Sequence, residues 1–201
     1  VIAVPQPKPA SRWEIPDHLL TIEEYAALGE TDSGFTELVE GRVVMSPSPI
    51  ADHNIVVFEL ARELAGQVPR HLRVLPETDV NLGLAPAGRP GFSRRPDLLI
   101  VERSAIARVR RDHGMLRAEE VAVVVEIVSP GSRRTDYHVK HDEYADAGIP
   151  HYWIVDITEP VSLVACHQAG EFGYLDAAAV TGTFTTDVPF PVKIDLDALL
   201  D

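Results

Sequence analysis

The sequence predicts a mixed α/β fold in which helices flank one central sheet. Three observations predict it. Helical and strand patterns follow one another in the order helix, strands, helix, strands, helix, strand. The run Val121 to Val128 is apolar almost throughout, as in a strand covered on both faces. The chain has 201 residues, enough for one domain with a substantial core.

The elements follow in order. Residues 1–20 read as an extended arm, proline-rich after a brief apolar start, without the basic start and apolar middle of a secretory signal. Residues 21–201 read as a single domain. Thr21-Ile-Glu-Glu24 is a capping box, with Leu20 and Tyr25 placed as a hydrophobic staple. A short helix is expected to run from there to Gly29. Phe35 to Met45 reads as two strands joined at Glu40-Gly41. After the break SPSP, Asp52 is expected to cap a second helix with Val57, Leu60, Ala61 and Leu64 on its apolar face and Gly66 near its end. Leu72 to Leu84 reads as one or two strands, and a loop rich in glycine and arginine follows. Pro96-Asp97 opens the strand LLIVE. Ser129-Pro-Gly131 ends the apolar strand begun at Val121. A helix is expected over 136–147, closed by Gly148 and Pro150, and HYWIVDI is the next strand. The segment from Val161 onward reads as a hairpin turning near Ala169-Gly170, and DLDALL as a last helical turn.

Composition and charge exclude several functions. The longest apolar run, Val121 to Val125, is far too short to cross a bilayer as a helix. The one cysteine, Cys166, cannot form an internal disulfide and fits a reducing cytoplasm. It lies in an apolar strand pattern and reads as a core thiol. The net charge of −13 counts against a broad phosphate-binding face. Arginines nevertheless cluster at Arg89, Arg94 and Arg95, at Arg108, Arg110 and Arg111, and at Arg133 and Arg134. Each cluster is either a local basic patch or a solvated face. There is no GxSxG elbow, no P-loop and no GxGxxG. No HExxH or Cys/His spacing motif points to zinc, and His138 and His141 do not share a helix face.

Two carboxylates remain to be explained. Asp97 stands at the mouth of one apolar strand, a common place for a turn or cap residue. Glu126 lies inside another, on the face shared with Val124 and Val128 by the strand period of two. A carboxylate there is costly unless it is paired, protonated or bound to metal. Two carboxylates on neighbouring strands suit an oxygen-loving cation such as Mg²⁺; a salt bridge from Glu126 to an arginine is the other reading. On the helix that follows, Asp136, Lys140 and Tyr144 recur at every fourth position and share one face. Helix spacing alone makes Asp136 and Lys140 a surface ion pair.

The runs FTELVEGRVVMSPSP, RRPDLLIVERS and VVVEIVSPGSRRTDYHVKHDEYADAGIPHYWIVD resemble the Uma family of bacterial endonucleases, a divergent branch of the PD-(D/E)xK nucleases. The resemblance implies a restriction-endonuclease-like core and magnesium-dependent hydrolysis of DNA, with Mn²⁺ as an alternative ion. By the same resemblance Asp97 is the aspartate of the PD element, Glu126 the second acidic ligand and Glu37 the N-terminal glutamate that completes the acidic site. The lysine slot of the wider PD-(D/E)xK superfamily, two residues after Glu126, holds Val128. The resemblance moves the catalytic lysine to Lys140 on the next helix. Two strands are most easily cut by two sites, so a homodimer is expected by analogy with the fold. The alternatives are a catalytically idle dimeric binding or regulatory module and a metal-dependent hydrolase of another substrate.

Overall fold

The computed structural model describes residues 16–29, 34–46, 48–129 and 131–200. Most of the expected arm, residues 1–15, lies outside the described residues, as do Pro47, Pro130 and Asp201. Leu20, at the end of that arm, is packed in the core beside Tyr25 and Leu38.

Four α-helices are present among the described residues: α1 (Ile22–Leu28), α2 (Ala51–Ala65), α3 (Arg103–Asp112) and α4 (His141–Asp146). The strands are β1 (Thr36–Val39), β2 (Arg42–Met45), β3 (Leu72–Pro76), β4 (Val80–Asn81), β5 (Ser93–Arg94), β6 (Leu98–Glu102), β7 (Leu116–Arg117), β8 (Val121–Val128), β9 (His151–Asp156), β10 (Ser162–Gln168), β11 (Tyr174–Asp176), β12 (Val180–Thr181), β13 (Thr183–Thr186) and β14 (Val192–Asp195). The central sheet has the order β11-β10-β9-β8-β6-β3, with β12 added beside β10. Its β8/β9 pair is parallel and the other pairs along this order are antiparallel. A second sheet, β2-β1-β5-β4-β7, lies to one side, and β13 and β14 form a separate hairpin.

Local chemistry accounts for the first elements. Both halves of the Thr21–Glu24 capping box form. Glu40 and Gly41 both take positive φ between β1 and β2, which suits a two-residue hairpin turn. Gly41 has no room for a side chain, because a Cβ there would meet Pro90 at 2.8 Å.

The alternation of β8 divides the core. Val123, Val125 and Ile127 pack on one face with α2, β14 and Trp153. Val124 and Val128 pack on the other with Tyr144, Tyr152 and Ile154. Glu126 projects to this second face.

The structure corrects the sequence expectations in three helical places. Asp52 does not cap α2: the N-cap is Ile50, and Asp52 lies in the first turn. The fully buried stripe of α2 is His53, Val56, Leu60 and Leu64, with Val57 and Ala61 only partly buried at its flank. The helix expected over 136–147 begins as a π-helical turn, Thr135–Lys140, before α4. Such widened turns recur at functional sites. Helix α3, the short strands β5 and β7, and the β13/β14 hairpin have no counterpart in the sequence expectations.

Candidate active site

Adjacent strands bring the two central carboxylates together. Leu98 on β6 faces Val125 on β8 in the antiparallel ladder. The same register, continued by one residue, sets Asp97 opposite Glu126. Asp97 Oδ2 accepts a hydrogen bond from the Ile127 backbone N–H at 2.7 Å and lies 3.1 Å from His53 Nε2. Both contacts fall on Oδ2.

Glu126 is almost completely buried. Its Oε1 accepts from the Lys140 ammonium at 2.8 Å and from the Tyr144 hydroxyl at 2.6 Å. Lys140 Nζ also lies 3.6 Å from Asp136 Oδ1 and 3.7 Å from Glu37 Oε1. Asp136 and Lys140 are therefore not a surface pair. Both are buried, because the π-helical turn packs its charged face against β8 and not against water.

Glu37 arrives from the second sheet, where β1 pairs with β5. Its Oε2 accepts from Arg94 at 2.8 Å and its Oε1 from the Arg95 backbone N–H at 3.1 Å. Both oxygens are thus engaged, and Glu37 stands as a counter-ion behind Lys140. Arg94 is itself buried and grips Glu143 through two bonds of 2.6 and 2.8 Å. The arginine clusters of the sequence are largely used in this way. Arg95 pairs with Asp79, Arg108 with Glu120, Arg111 with Asp112, and Arg133 with Asp156.

Burial and neighbours set the charges. Burial pushes the Glu126 carboxyl well above its ordinary range; Lys140 opposes this, while Asp97 and Asp136 reinforce it. Burial also raises Asp136. For Lys140 burial works downward, but Glu126, Glu37 and Asp136 outweigh it and raise the ammonium above its usual range. For His53 burial also works downward, and contact with Asp97 raises it instead.

Burial alone would raise the Glu37 carboxyl, but Lys140, Arg94 and the Arg95 amide hold it below its ordinary 4.5. Its ionised form therefore contributes stability that is full above pH 4.5 and lost as the pH falls through the depressed value. The gap in melting temperature between wild type and Glu37→Gln should be widest above pH 4.5 and narrow below it. A gap independent of pH across that window would contradict the pairing.

The donor set suits a hard divalent cation. Glu126 takes both of its hydrogen bonds on Oε1 and Asp97 takes its contacts on Oδ2, so among the described residues one oxygen of each carboxylate has no hydrogen bond to the protein. Carboxylates outnumber cations here: Glu37, Asp97, Glu126, Asp136 and Glu143 stand against Lys140, Arg94 and, when protonated, His53. Oxygen ligands with surplus negative charge are what Mg²⁺ and Mn²⁺ select. Among the described residues, Glu37, Asp97 and Glu126 do not gather as a trio within the 4.8 Å spacing of a three-ligand group. The two-carboxylate arrangement of Asp97 and Glu126 is the one the strand register supports.

Four residues at this site escape the sequence reading: His53, Tyr144 as a partner of Glu126, Arg94 and Glu143. His53 carries a signal. It sits three residues before Val56 and so begins the buried stripe of α2.

Comparison with known proteins agrees with this architecture. The profile of the Uma2 family, described as "Putative restriction endonuclease", matches residues 22–194. A similar solved structure, described as "a putative nuclease belonging to DUF820", comes from Anabaena variabilis ATCC 29413. It is 20% identical, with a TM-score of 0.67, over 90% of this chain and 97% of that chain. The fold is the mixed, restriction-endonuclease-like one expected from the sequence. No curated protein matches the chain.

Proposed function

The chain belongs to the Uma2 restriction-endonuclease family, and on that premise we propose that its carboxylate–lysine cleft hydrolyses DNA phosphodiester bonds with a divalent cation. The observation that carries the reading is Lys140, buried and in contact with Glu126, on a helix that faces the paired strands of Asp97 and Glu126. The usual lysine slot is filled by Val128, packed in the core. The ammonium reaches the same neighbourhood from another address.

Asp97 and Glu126 would hold the cation, with Mg²⁺ the natural ion and Mn²⁺ an alternative. When bound, that ion supplies Lewis-acid charge to the scissile phosphate and acidifies an attacking water. The chain's own groups prepare the site. Tyr144 and Lys140 fix the Glu126 rotamer, and His53 with the Ile127 N–H fixes Asp97. Glu37, held by Arg94 and the Arg95 N–H, steadies the ammonium. Lys140 then offers a compact positive charge where the phosphate becomes more negative. A cytoplasmic enzyme acting as a homodimer, one site for each strand, completes the reading. The single cysteine supports the first part and the geometry of duplex cutting the second. Among the described residues no helix is long and apolar enough to cross a membrane.

The test is nicking of supercoiled plasmid. Wild-type protein should give open-circular product with Mg²⁺ or Mn²⁺, none with chelator, and none after Asp97→Ala. Folded wild-type protein that binds neither ion and cuts neither double- nor single-stranded DNA would overturn the proposal in favour of an idle module. Metal binding without any cutting would favour a hydrolase of another substrate.

A further inference from the structure

We propose that His141, Cys166 and Asp176 form a second metal site, one for a zinc-class divalent transition metal, at the junction of α4 with β10 and β11. One ligand atom from each of the three lies within 4.8 Å of the others, the one such group among the described residues. Cys166 and Asp176 are direct partners in the β10/β11 ladder, so their side chains rise from the same face of the sheet. His141, the first residue of α4, lies over them with its ring edge-on to Tyr174 at 5.3 Å. Its Nε2 is 2.9 Å from Asp176 Oδ1.

The chemistry differs from that of the carboxylate cleft. Sulfur, nitrogen and oxygen donors together select zinc or a similar ion, whereas an all-oxygen site selects magnesium. Ligands about 2.0–2.3 Å from a tetrahedral zinc sit roughly 3.3–3.8 Å from one another, so the trio closes on an ion through small side-chain shifts. His141 has the supporting partner that metal-bound imidazoles commonly use: Nδ1 lies 3.2 Å from Asp142 Oδ1. A proton kept on Nδ1 leaves the Nε2 lone pair for the metal. Asp176 is half exposed and opens the group to solvent on that side. On binding, the Cys166 S–H bond breaks, its proton leaves to solvent and the thiolate takes the ion. A cysteine nucleophile is the less suitable reading of the same trio, because Cys166 is buried and its burial favours the neutral thiol.

The bound ion would clamp α4, and with it the turn that ends in Lys140, against β11. This does not depend on the cleft being a nuclease. The test uses the full chain, stripped of metal, with zinc chloride in calorimetry and cobalt(II) chloride in visible spectroscopy. With magnesium in large excess to occupy the carboxylate cleft, one zinc per chain should bind, and cobalt should give a thiolate charge-transfer band. Asp176→Asn and His141→Asn should each weaken zinc binding at least about tenfold. Cys166→Ala should remove the charge-transfer band, and Asp97→Ala should leave both signals intact. If Cys166→Ala fails to fold, Asp176→Asn at the exposed edge still decides. Absence of zinc binding, or binding that persists unweakened in Asp176→Asn and His141→Asn, would overturn the site.

Discussion

Replacing Lys140 with alanine should abolish DNA cleavage and weaken the fold as well. A lysine on a helix surface contributes little to stability, and its loss would be felt in rate alone. Lys140 is buried and lies within 3.7 Å of Glu126, Glu37 and Asp136. Its removal leaves Glu126 and Asp136 without a counter-charge, while Glu37 keeps Arg94. Breaking a buried charge network of this kind costs about 3–5 kcal/mol. Urea unfolding of wild type and Lys140→Ala measures that cost. Nicking is then compared at a temperature where circular dichroism shows the variant folded, and the rate should fall at least about a hundredfold. Lys140→Arg should also be impaired, since a planar guanidinium does not replace a compact ammonium between three carboxylates. Wild-type stability would place the ammonium in water. A wild-type rate in folded Lys140→Ala would remove the lysine from the mechanism.

The next largest effect should be loss of the response to magnesium. An ion that binds only the folded chain stabilises it by mass action, about 2.7 kcal/mol at a hundred times its dissociation constant. For a chain of this size that corresponds to a rise in melting temperature of roughly 5–10 °C. Glu126→Gln keeps the size and the hydrogen-bonding oxygen of the side chain while removing its charge, and should remove most of that rise. Asp97→Ala should remove all of it. The same rise in wild type and both variants would place magnesium elsewhere on the chain. The His141–Cys166–Asp176 group does not confuse the measurement, because its sulfur and nitrogen donors are poor ligands for magnesium.

Much of this arrangement is legible in the amino-acid sequence. Glu126 stands out as a charge inside VAVVVEIV, and strand alternation places it on the face of Val124 and Val128. Asp97 is visible only as a residue at a strand mouth. The ladder between β6 and β8 turns that into a position opposite Glu126, a long-range register that local pattern does not encode. Spacing groups Asp136, Lys140 and Tyr144 on one face but cannot say which side of the helix meets the core. The π-helical turn is hidden for the same reason, since its apolar and charged positions also fit an α-helix. Arg94 reads as part of a basic patch, and only folding makes it the counter-ion shared by Glu37 and Glu143. Helix α3 escapes a reading by pattern because its apolar stripe is short, Ala105 with the partly buried Ile106 and Val109, inside an arginine-rich sequence. The trio at α4 and β11 joins residues 141, 166 and 176 through sheet pairing, with no spacing motif to mark it.

The central claim is that Asp97, at the mouth of β6, and Glu126, on the adjacent β8, hold the catalytic cation. A crystal grown with manganese and measured for anomalous scattering tests it most directly. One strong peak should lie between the two carboxylates, about 2.0–2.2 Å from an oxygen of each, with the Lys140 ammonium nearby and not in the peak's place. A crystal with full manganese occupancy elsewhere, and the Glu126–Lys140 pair unchanged with no peak beside it, would contradict the account.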